Sequence, residues 1–364
     1  MTGHSSPTKA LIVGRVSDDA LEGSYARAFR HMGIETAQWN SPAAIGRSTR
    51  GGRVGTLVNQ FLPVEAWTAK ASRELLLRVI EERLDLVVVM GSSRVLPGAL
   101  AQIKASRPEC KLVLIWPDTM LNCYSHTIGS IPLYDLIATY SVHSLDPFNR
   151  LGARKMEWVP LAFDPELHPP ELEPETTAGV YADCDASFVG NYSPEREELV
   201  TRLIGHGFRI KVWGPTEWQR SAKDRKALAK YWQGRELLGR DYCLAIKSAP
   251  VSLNPISPLN FPAANMRFFE ILGSGGTPLS AACPEMEAGF PNQEACFYYD
   301  DAADAAEILK DILSSRDSAQ LVARRGQERV LAAHTYVHRA QQILNALSVP
   351  SQPRPTSDTV YSEP

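Results

Sequence analysis

The chain has 364 residues, is 44% hydrophobic and 22% charged, and carries a formal net charge of −3. That is the size of two ordinary domains and the balance of a soluble globular enzyme. Nothing in that charge suggests a nucleic-acid-binding surface, and no apolar run is long enough to span a bilayer.

The opening MTGHSSPTKA has no secretory signal pattern and leads directly into a strand. Residues 1–8 are expected to be disordered. The first half then alternates strand and helix: KALIVG at Lys9–Gly14, a helix over about Gly23–Met32, a strand at Ile34–Trp39, and a long helix over about Val64–Arg83. LDLVVVMG at Leu84–Gly91 is apolar throughout, as a strand buried on both faces must be. A helix near Pro97–Ser106 and strands at Lys111–Trp116, Tyr134–Tyr140 and Met156–Pro160 complete this half, so residues 9–163 read as one Rossmann-like domain.

Residues 164–178, beginning DPELHPPELEPETT, are rich in Pro and Glu without periodicity and read as an interdomain linker. The alternation then resumes with a strand at Ala186–Gly190, a helix at Arg196–His206 and a strand at Arg209–Gly214. A basic, partly helical stretch covers Arg220–Arg240, and a short strand follows at Pro250–Pro255. Next come a helix over about Met266–Ser274, strands at Thr277–Ala281 and Cys296–Tyr299, and a helix at Ala302–Ser314. Residues 179–334 read as a second Rossmann-like domain. Of two final helices, about Ser318–Ala333 and Val337–Leu347, the second (335–347) is expected to pack back toward the first domain. Residues 348–364 are polar and Pro-rich, as disordered tails are.

Asn265–Ser280 is the most informative segment. Asn265 is a good N-cap, Phe268, Ile271 and Leu272 share a core-facing side, and Arg267, Glu270 and Ser274 share the other. Gly275 and Gly276 supply a left-handed stop, and Pro278 prevents continuation. Arg267 lies in the first turn, where the helix dipole disfavours a cation. A bound anion removes that conflict; an Arg267–Glu270 surface pair is the plainer alternative.

Neither βα turn, Gly14-Arg-Val-Ser-Asp-Asp nor Gly190-Asn-Tyr-Ser-Pro-Glu-Arg196, has the GxGxxG of a dinucleotide-binding dehydrogenase, and no P-loop occurs. The six cysteines (Cys110, Cys123, Cys184, Cys243, Cys283, Cys296) show no CxxC spacing and fit reduced structural thiols of a cytoplasmic protein. The eight histidines form no HExxH-like cluster; His334 and His338 are four apart without a nearby third ligand, so no metal site is expected.

Leu253-Asn254-Pro255, Arg267-Phe-Phe-Glu270-Ile271, Gly276, Leu279, Tyr299-Asp300-Asp301 and His334-Thr-Tyr-Val-His-Arg339-Ala form an ordered series. With Phe188-Val-Gly190 and Glu195-Arg196 upstream, it resembles the C-terminal domain of GT-B glycosyltransferases, most closely the CgeB-like (spore-maturation) glycosyltransferases. The match covers about half the chain. It implies an α/β GT-B fold, two doubly wound Rossmann-like domains facing a cleft, and metal-independent transfer of a sugar from a nucleotide-diphosphate donor (UDP-, GDP- or dTDP-linked) to an acceptor hydroxyl. The acceptor is a small molecule, a glycan or a protein, and no further cofactor is implied. In such enzymes the second glutamate of an E-x7-E motif commonly binds the donor ribose, and Glu270 aligns with it. The first would fall at Pro262, so the motif is half missing.

Arg267, the amides near Asn265 and Met266, and Arg196 are candidates for the diphosphate, with Gly190 allowing close backbone approach. Trp213 and Gly214 end the second strand of this domain, where Trp213 either packs on the base or belongs to the core. Asn254 and Ser257 line the loop before the helix. Inverting transfer needs a base: Asp118, after the strand KLVLIW, is the first choice, with Asp18, Asp19 and His126 as rivals. Asp118 equally suits a turn or cap role. His334, Tyr336 and Arg339 are read as structural. A GT-B sugar-nucleotide epimerase and a non-catalytic nucleotide-sugar-binding protein are the alternative functions.

Overall fold

A computed structural model describes residues 7–49, 55, 64–172 and 179–349. Most of the ends expected to be disordered, 1–6 of 1–8 and 350–364 of 348–364, and residues 173–178 of the linker expected for 164–178 lie outside the described residues. Two sheets are present, and every strand pair in them is parallel.

The first sheet has the order β2-β1-β3-β4-β5-β6. Its strands are β1 (Lys9–Gly14), β2 (Glu35–Asn40), β3 (Leu86–Met90), β4 (Lys111–Trp116), β5 (Leu136–Thr139) and β6 (Met156–Trp158). Alternate residues of these apolar runs feed two cores. Leu11, Val13, Val87, Val89, Leu112, Leu114 and Trp116 point to one, and Ala10, Ile12, Leu86, Val88, Met90, Val113 and Ile115 to the other. Burial on both faces is why β3 and the inner residues of β1 and β4 are apolar throughout, whereas the edge strand β2 carries Glu35, Thr36, Gln38 and Asn40.

The second sheet has the order β11-β10-β9-β7-β8. Its strands are β7 (Ala186–Val189), β8 (Ile210–Trp213), β9 (Ser252–Asn254), β10 (Pro278–Ala281) and β11 (Phe297–Tyr299). The order reverses between β7 and β9, and in open parallel sheets ligands bind beyond the strand ends at such a switch point. The helix Met266–Gly273 follows β9 and starts at that point.

The last helix, Tyr336–Ser348, packs on the first sheet: Tyr336, Ala340, Ile343 and Ala346 belong to the same core as Tyr25 and Phe29 of the helix Leu21–His31. Arg339 explains how the chain is held there. It is only 5% exposed, and its guanidinium donates to the carbonyls of Pro160 (2.8 Å), Leu161 (3.3 Å) and Ala333 (3.3 Å) while lying 2.7 Å from His334 Nδ1. A planar five-donor fork can tie three carbonyls from two segments. Phe163 and His334 pair beside it: the Phe163 amide donates to the His334 carbonyl, and the Tyr336 amide to the Phe163 carbonyl.

Further contacts join the two sheets. Glu285, in the short helix Pro284–Glu287, accepts from Ser141 Oγ (2.8 Å), the Val142 amide (2.9 Å) and Trp158 Nε1 (3.1 Å). Tyr140 Oη lies 3.2 Å from Asn260 Oδ1. Arg27 pairs with Asp164 through Nε (2.9 Å) and Nη2 (2.5 Å). Burial raises the Asp164 pKa, but hydrogen bonds from Arg27 and Ser24 and the Arg27 charge outweigh it and hold the carboxyl below its ordinary value.

The composition of the expected linker misreads its first part. Within residues 164–172, Asp164 and His168 are buried while Glu166 and Glu171 are exposed. The basic stretch Arg220–Arg240 also holds more order than its sequence shows. It overlaps the end of the helix Glu217–Ser221, contains the helix Arg225–Tyr231, and runs directly into a ten-residue helix, Gly239–Ser248, that periodicity did not separate. Among the described residues no helix is long and apolar enough to cross a membrane.

Candidate nucleotide site

The helix Met266–Gly273 begins as its sequence requires. Asn265 Oδ1 accepts from the Phe268 amide at 3.0 Å. Phe268, Phe269, Ile271 and Leu272 are buried, and Gly275 takes φ +80° to end the turn. Asn265 therefore serves as a cap, and its side chain is occupied. The polar side of the helix looks toward the carboxyl end of β7.

Arg267 and Glu270 do not pair. Arg267 Nε donates to the Val189 carbonyl at 2.7 Å, and its guanidinium lies 4.6 Å from the centre of the Phe188 ring. Arg196, from the helix Pro194–Gly205, approaches the same ring at 5.6 Å and donates to the Asn191 carbonyl at 2.8 Å. Neither arginine makes an ion pair among the described residues. Burial first and the Arg267 charge second push the Arg196 pKa down to about 10. Two guanidinium groups thus share one aromatic ring at the switch point without an ion pair among the described residues, the Glu195 charge only partly opposing the shift on Arg196, an arrangement that a diphosphate would resolve.

Gly190 makes that closeness possible. A Cβ built on it would lie 2.1 Å from Arg267 Nη2. Its peptide is held on both sides: the amide donates to the Trp213 carbonyl (2.9 Å), and the carbonyl accepts from Trp218 Nε1 (2.9 Å). Gly214 is a spacing residue for this loop, since a Cβ there would meet the Gly190 carbonyl at 2.3 Å.

Glu270 lies one helical turn beyond Arg267. Its Oε2 accepts from Tyr242 Oη at 2.6 Å. Tyr242 is buried, and burial first and the Glu270 charge second raise its pKa well above the ordinary phenol value, so it remains a donor. Arg267, Glu270, Tyr242, Gly190, His168 and Asp19 line one cavity of about 180 Å³ together with Glu236 and residues 237–239. Tyr242 and His168 escaped the sequence reading. Tyr242 sits on the helix that was not separated from the basic stretch, and His168 sits in the segment taken for a linker.

Other expected site residues fall elsewhere. Of the two readings of Trp213, the structure supports the core one: the side chain is 1% exposed and packs on Tyr181 at 5.6 Å, so it is not a platform for a base. Asn254 is likewise sealed, with its Nδ2 donating to Ser280 Oγ at 3.0 Å; it shapes the end of β9 and cannot touch a ligand. Met266 is half-buried at the helix start and packs on the core around Phe268.

The acid–base candidates lie on the first-sheet side. Asp118 follows β4, and its carboxylate accepts from the Thr119 amide (2.7 Å) and Asn122 Nδ2 (2.8 Å). It stands close enough to Tyr140 for its charge to help raise that phenol to about 12, after burial, which contributes most. Asp18 is exposed, and its carbonyl accepts from Arg27. His126 stacks on Tyr124 at 5.4 Å, its Nε2 is sealed without a partner, and burial lowers its pKa. Asp19 alone of these lines the cavity.

Residues 196–345 match a family model described as glycosyl transferase-like. No curated protein matches the chain in sequence. Among solved structures, Anabaena HepE in complex with UDP and glucose is similar at 13% identity and a TM-score of 0.62, with 94% of this chain and 99% of that one covered. Sucrose-phosphate synthase from Thermosynechococcus elongatus is similar at 13% identity and a TM-score of 0.63, with 92% and 97% covered. A protein assigned as a UDP-N-acetylglucosamine 2-epimerase from Listeria monocytogenes reaches 10% identity and a TM-score of 0.56, with 93% and 95% covered. The chain has the GT-B fold, its two parallel sheets matching those of GT-B glycosyltransferases along nearly their whole length.

Proposed function

We propose that the protein is a glycosyltransferase that takes a sugar from a nucleoside-diphosphate donor and passes it to an acceptor hydroxyl. The observation that carries this reading is the Arg196–Arg267 pair on Phe188, neither arginine making an ion pair among the described residues, at the switch point of the second sheet. The glycosyltransferase-like match over residues 196–345 and the UDP held by HepE on the same fold support it. In this reading the departing diphosphate is stabilised by Arg196, Arg267 and the free amides at the start of the helix Met266–Gly273, and Glu270 holds the donor ribose. Asp118 is the proposed base. Each carboxylate oxygen accepts one hydrogen bond and keeps a lone pair for an acceptor hydroxyl.

Epimerisation of the donor sugar is the second reading, favoured by the Listeria protein of the same fold. One experiment separates the two. The protein is screened by thermal shift against nucleoside diphosphates and their sugars, and each ligand that raises the melting temperature is incubated with and without an acceptor panel. Sugar transfer that depends on an acceptor supports the proposal. Interconversion of the sugar without acceptor supports the epimerase, and a protein that no nucleoside diphosphate stabilises has neither activity.

A further inference from the structure

The large apolar side chains left exposed are unevenly placed. In the first half, Val16 follows β1, Leu121, Tyr124 and Ile128 follow β4, and Val142 follows β5. In the second half, Leu259 and Phe261 follow β9, and Leu238 lines the nucleotide cavity. These loops leave the carboxyl ends of parallel strands. Ile128 stays at that end, since a Cβ on its neighbour Gly129 would lie 3.2 Å from Pro97, the first residue of the helix after β3. The other exposed ones among the described residues, Leu77, Ile80, Leu321, Leu331 and Val349, belong to the helices Glu65–Glu81 and Arg316–Ala333 or follow the last helix. Apolar side chains scattered singly over a surface need no explanation, but gathered in the loops that carry a site they mark what it binds. Local packing turns them outward. Met120 and Cys123 pack on the first core, which leaves Leu121 between them 77% exposed. Asn260 meets Tyr140 across the cleft, with Leu259 and Phe261 on either side of it 62% and 55% exposed. Both loops adjoin Asp118, which accepts from Asn122 and whose charge reaches Tyr140.

We infer that the acceptor is an amphiphile, its reacting hydroxyl carried on an alkyl chain that lies along Leu121, Leu259 and Phe261, rather than a free sugar or a peptide. This rests on the glycosyl-transfer reading above, with Asp118 as the base. The acceptor hydroxyl gives its proton to Asp118, and its oxygen forms the bond to the anomeric carbon. The bond from that carbon to the diphosphate oxygen breaks, and its electron pair leaves on the nucleoside diphosphate. Whatever presents that hydroxyl to Asp118 must cover the side chains around it. The polar ones are already engaged with one another: Asn122 with Asp118, Tyr140 with Asn260, and Ser141 with Glu285. A free sugar or a peptide is held in place by several convergent polar groups, whereas the exposed surface here offers apolar area. The donor does not account for that area, since only Leu238 lines its cavity. Five of the remaining seven, Val16, Leu121, Ile128, Val142 and Leu259, are branched aliphatics, and the Tyr124 ring is stacked on His126. Such a surface has few ring faces to offer a flat aromatic acceptor, and a flexible chain can follow it from one loop to the next.

The test uses the whole chain and a sugar nucleotide that raises its melting temperature. The acceptors are linear 1,2-diols from butanediol to octanediol, dilute enough to stay monomeric, beside glucose, a serine-containing peptide and a phenol. Transfer is read as the glycosylated product by mass spectrometry. kcat/KM should climb along the diol series by at least roughly tenfold, the burial of each methylene giving up to about fourfold. Leu121→Asn combined with Leu259→Asn should flatten that climb, and Leu77→Asn, at an exposed leucine of the helix Glu65–Glu81, should keep it. A rate that ignores chain length, or that is highest with glucose, the peptide or the phenol, overturns the inference while leaving the glycosyltransferase reading intact. So does a double variant that keeps the full climb. The wild-type series decides even if that variant does not fold. Transfer to none of these acceptors overturns the glycosyltransferase reading and this inference with it.

Discussion

Removing Arg267 should weaken nucleotide binding far more than it weakens the fold. In the unliganded protein, Arg267→Ala loses one hydrogen bond to the Val189 carbonyl and a cation–π contact with Phe188. These are worth about 1 kcal/mol and about 0.5–1 kcal/mol respectively. Against that stands relief of the repulsion that helps depress Arg196. The apparent stability should therefore fall by only about 1 kcal/mol, the sum being partly offset. With a diphosphate bound, the same change removes a charge-assisted hydrogen bond worth about 1.5–3 kcal/mol, so affinity should drop roughly 10- to 150-fold. Arg267→Lys keeps the charge but not the planar fork or the ring stacking, and should fall between. Chemical denaturation without ligand and calorimetric titration with UDP give the two quantities separately. If Arg267→Ala binds UDP like wild type while unfolding several kcal/mol sooner, Arg267 is a structural strut and the anion-site reasoning is wrong.

Gly190→Ala places a methyl 2.1 Å from Arg267 Nη2, so it should displace the guanidinium and reproduce much of the Arg267→Ala loss in titrations; full affinity would mean the guanidinium can bind from another position. Asp118→Asn should abolish sugar transfer while leaving donor affinity unchanged, and an active variant would remove Asp118 as the base. Glu285→Ala strips the acceptor from Ser141, Val142 and Trp158 and should cost about 1–3 kcal/mol in denaturant titrations; a variant as stable as wild type would show that this bridge contributes nothing. The His334 imidazole is pushed from 6.5 down to about 4, by burial first and by the Arg339 and His338 charges after it. Between those values the unfolded chain binds a proton that the folded chain refuses, so this residue's contribution is complete above pH 6.5 and is lost as pH falls toward 4. Melting curves of wild type should decline through that window more steeply than those of His334→Gln, and parallel curves would refute the assignment.

Much of the architecture was legible because the physics involved is local. LVVVM at Leu86–Met90 and LVLI at Leu112–Ile115 contain no polar residue, and only strands covered on both faces tolerate that. Asn265 and Gly275 marked the ends of the functional helix because capping oxygens and left-handed turns depend on neighbours in sequence. The arginine in the first turn of that helix raised the anion reading beside the surface-pair one, since the conflict with the helix dipole exists before any tertiary contact forms.

The partners of those residues could not be read the same way. Tyr242 is twenty-eight positions from the carboxylate it holds, and Arg196 lies seventy-one positions before the arginine that shares its ring. No pattern within either segment encodes such a meeting; the order of strands in the sheet does. Trp213 shows the converse, since an aromatic at a strand end suits a ligand platform and a core equally, and packing against Tyr181 chose the core. Composition also misled at His168, where a Pro- and Glu-rich surround looked like loose linker although the histidine is buried between two aromatic rings. By itself, the sequence determined two parallel sheets, a capped helix and a cation in an anion's place, because periodicity and dipoles act over a few residues. Only the tertiary structure decided which side chains face that cation, because the groups that share its site arrive from strands and helices that the chain brings together late.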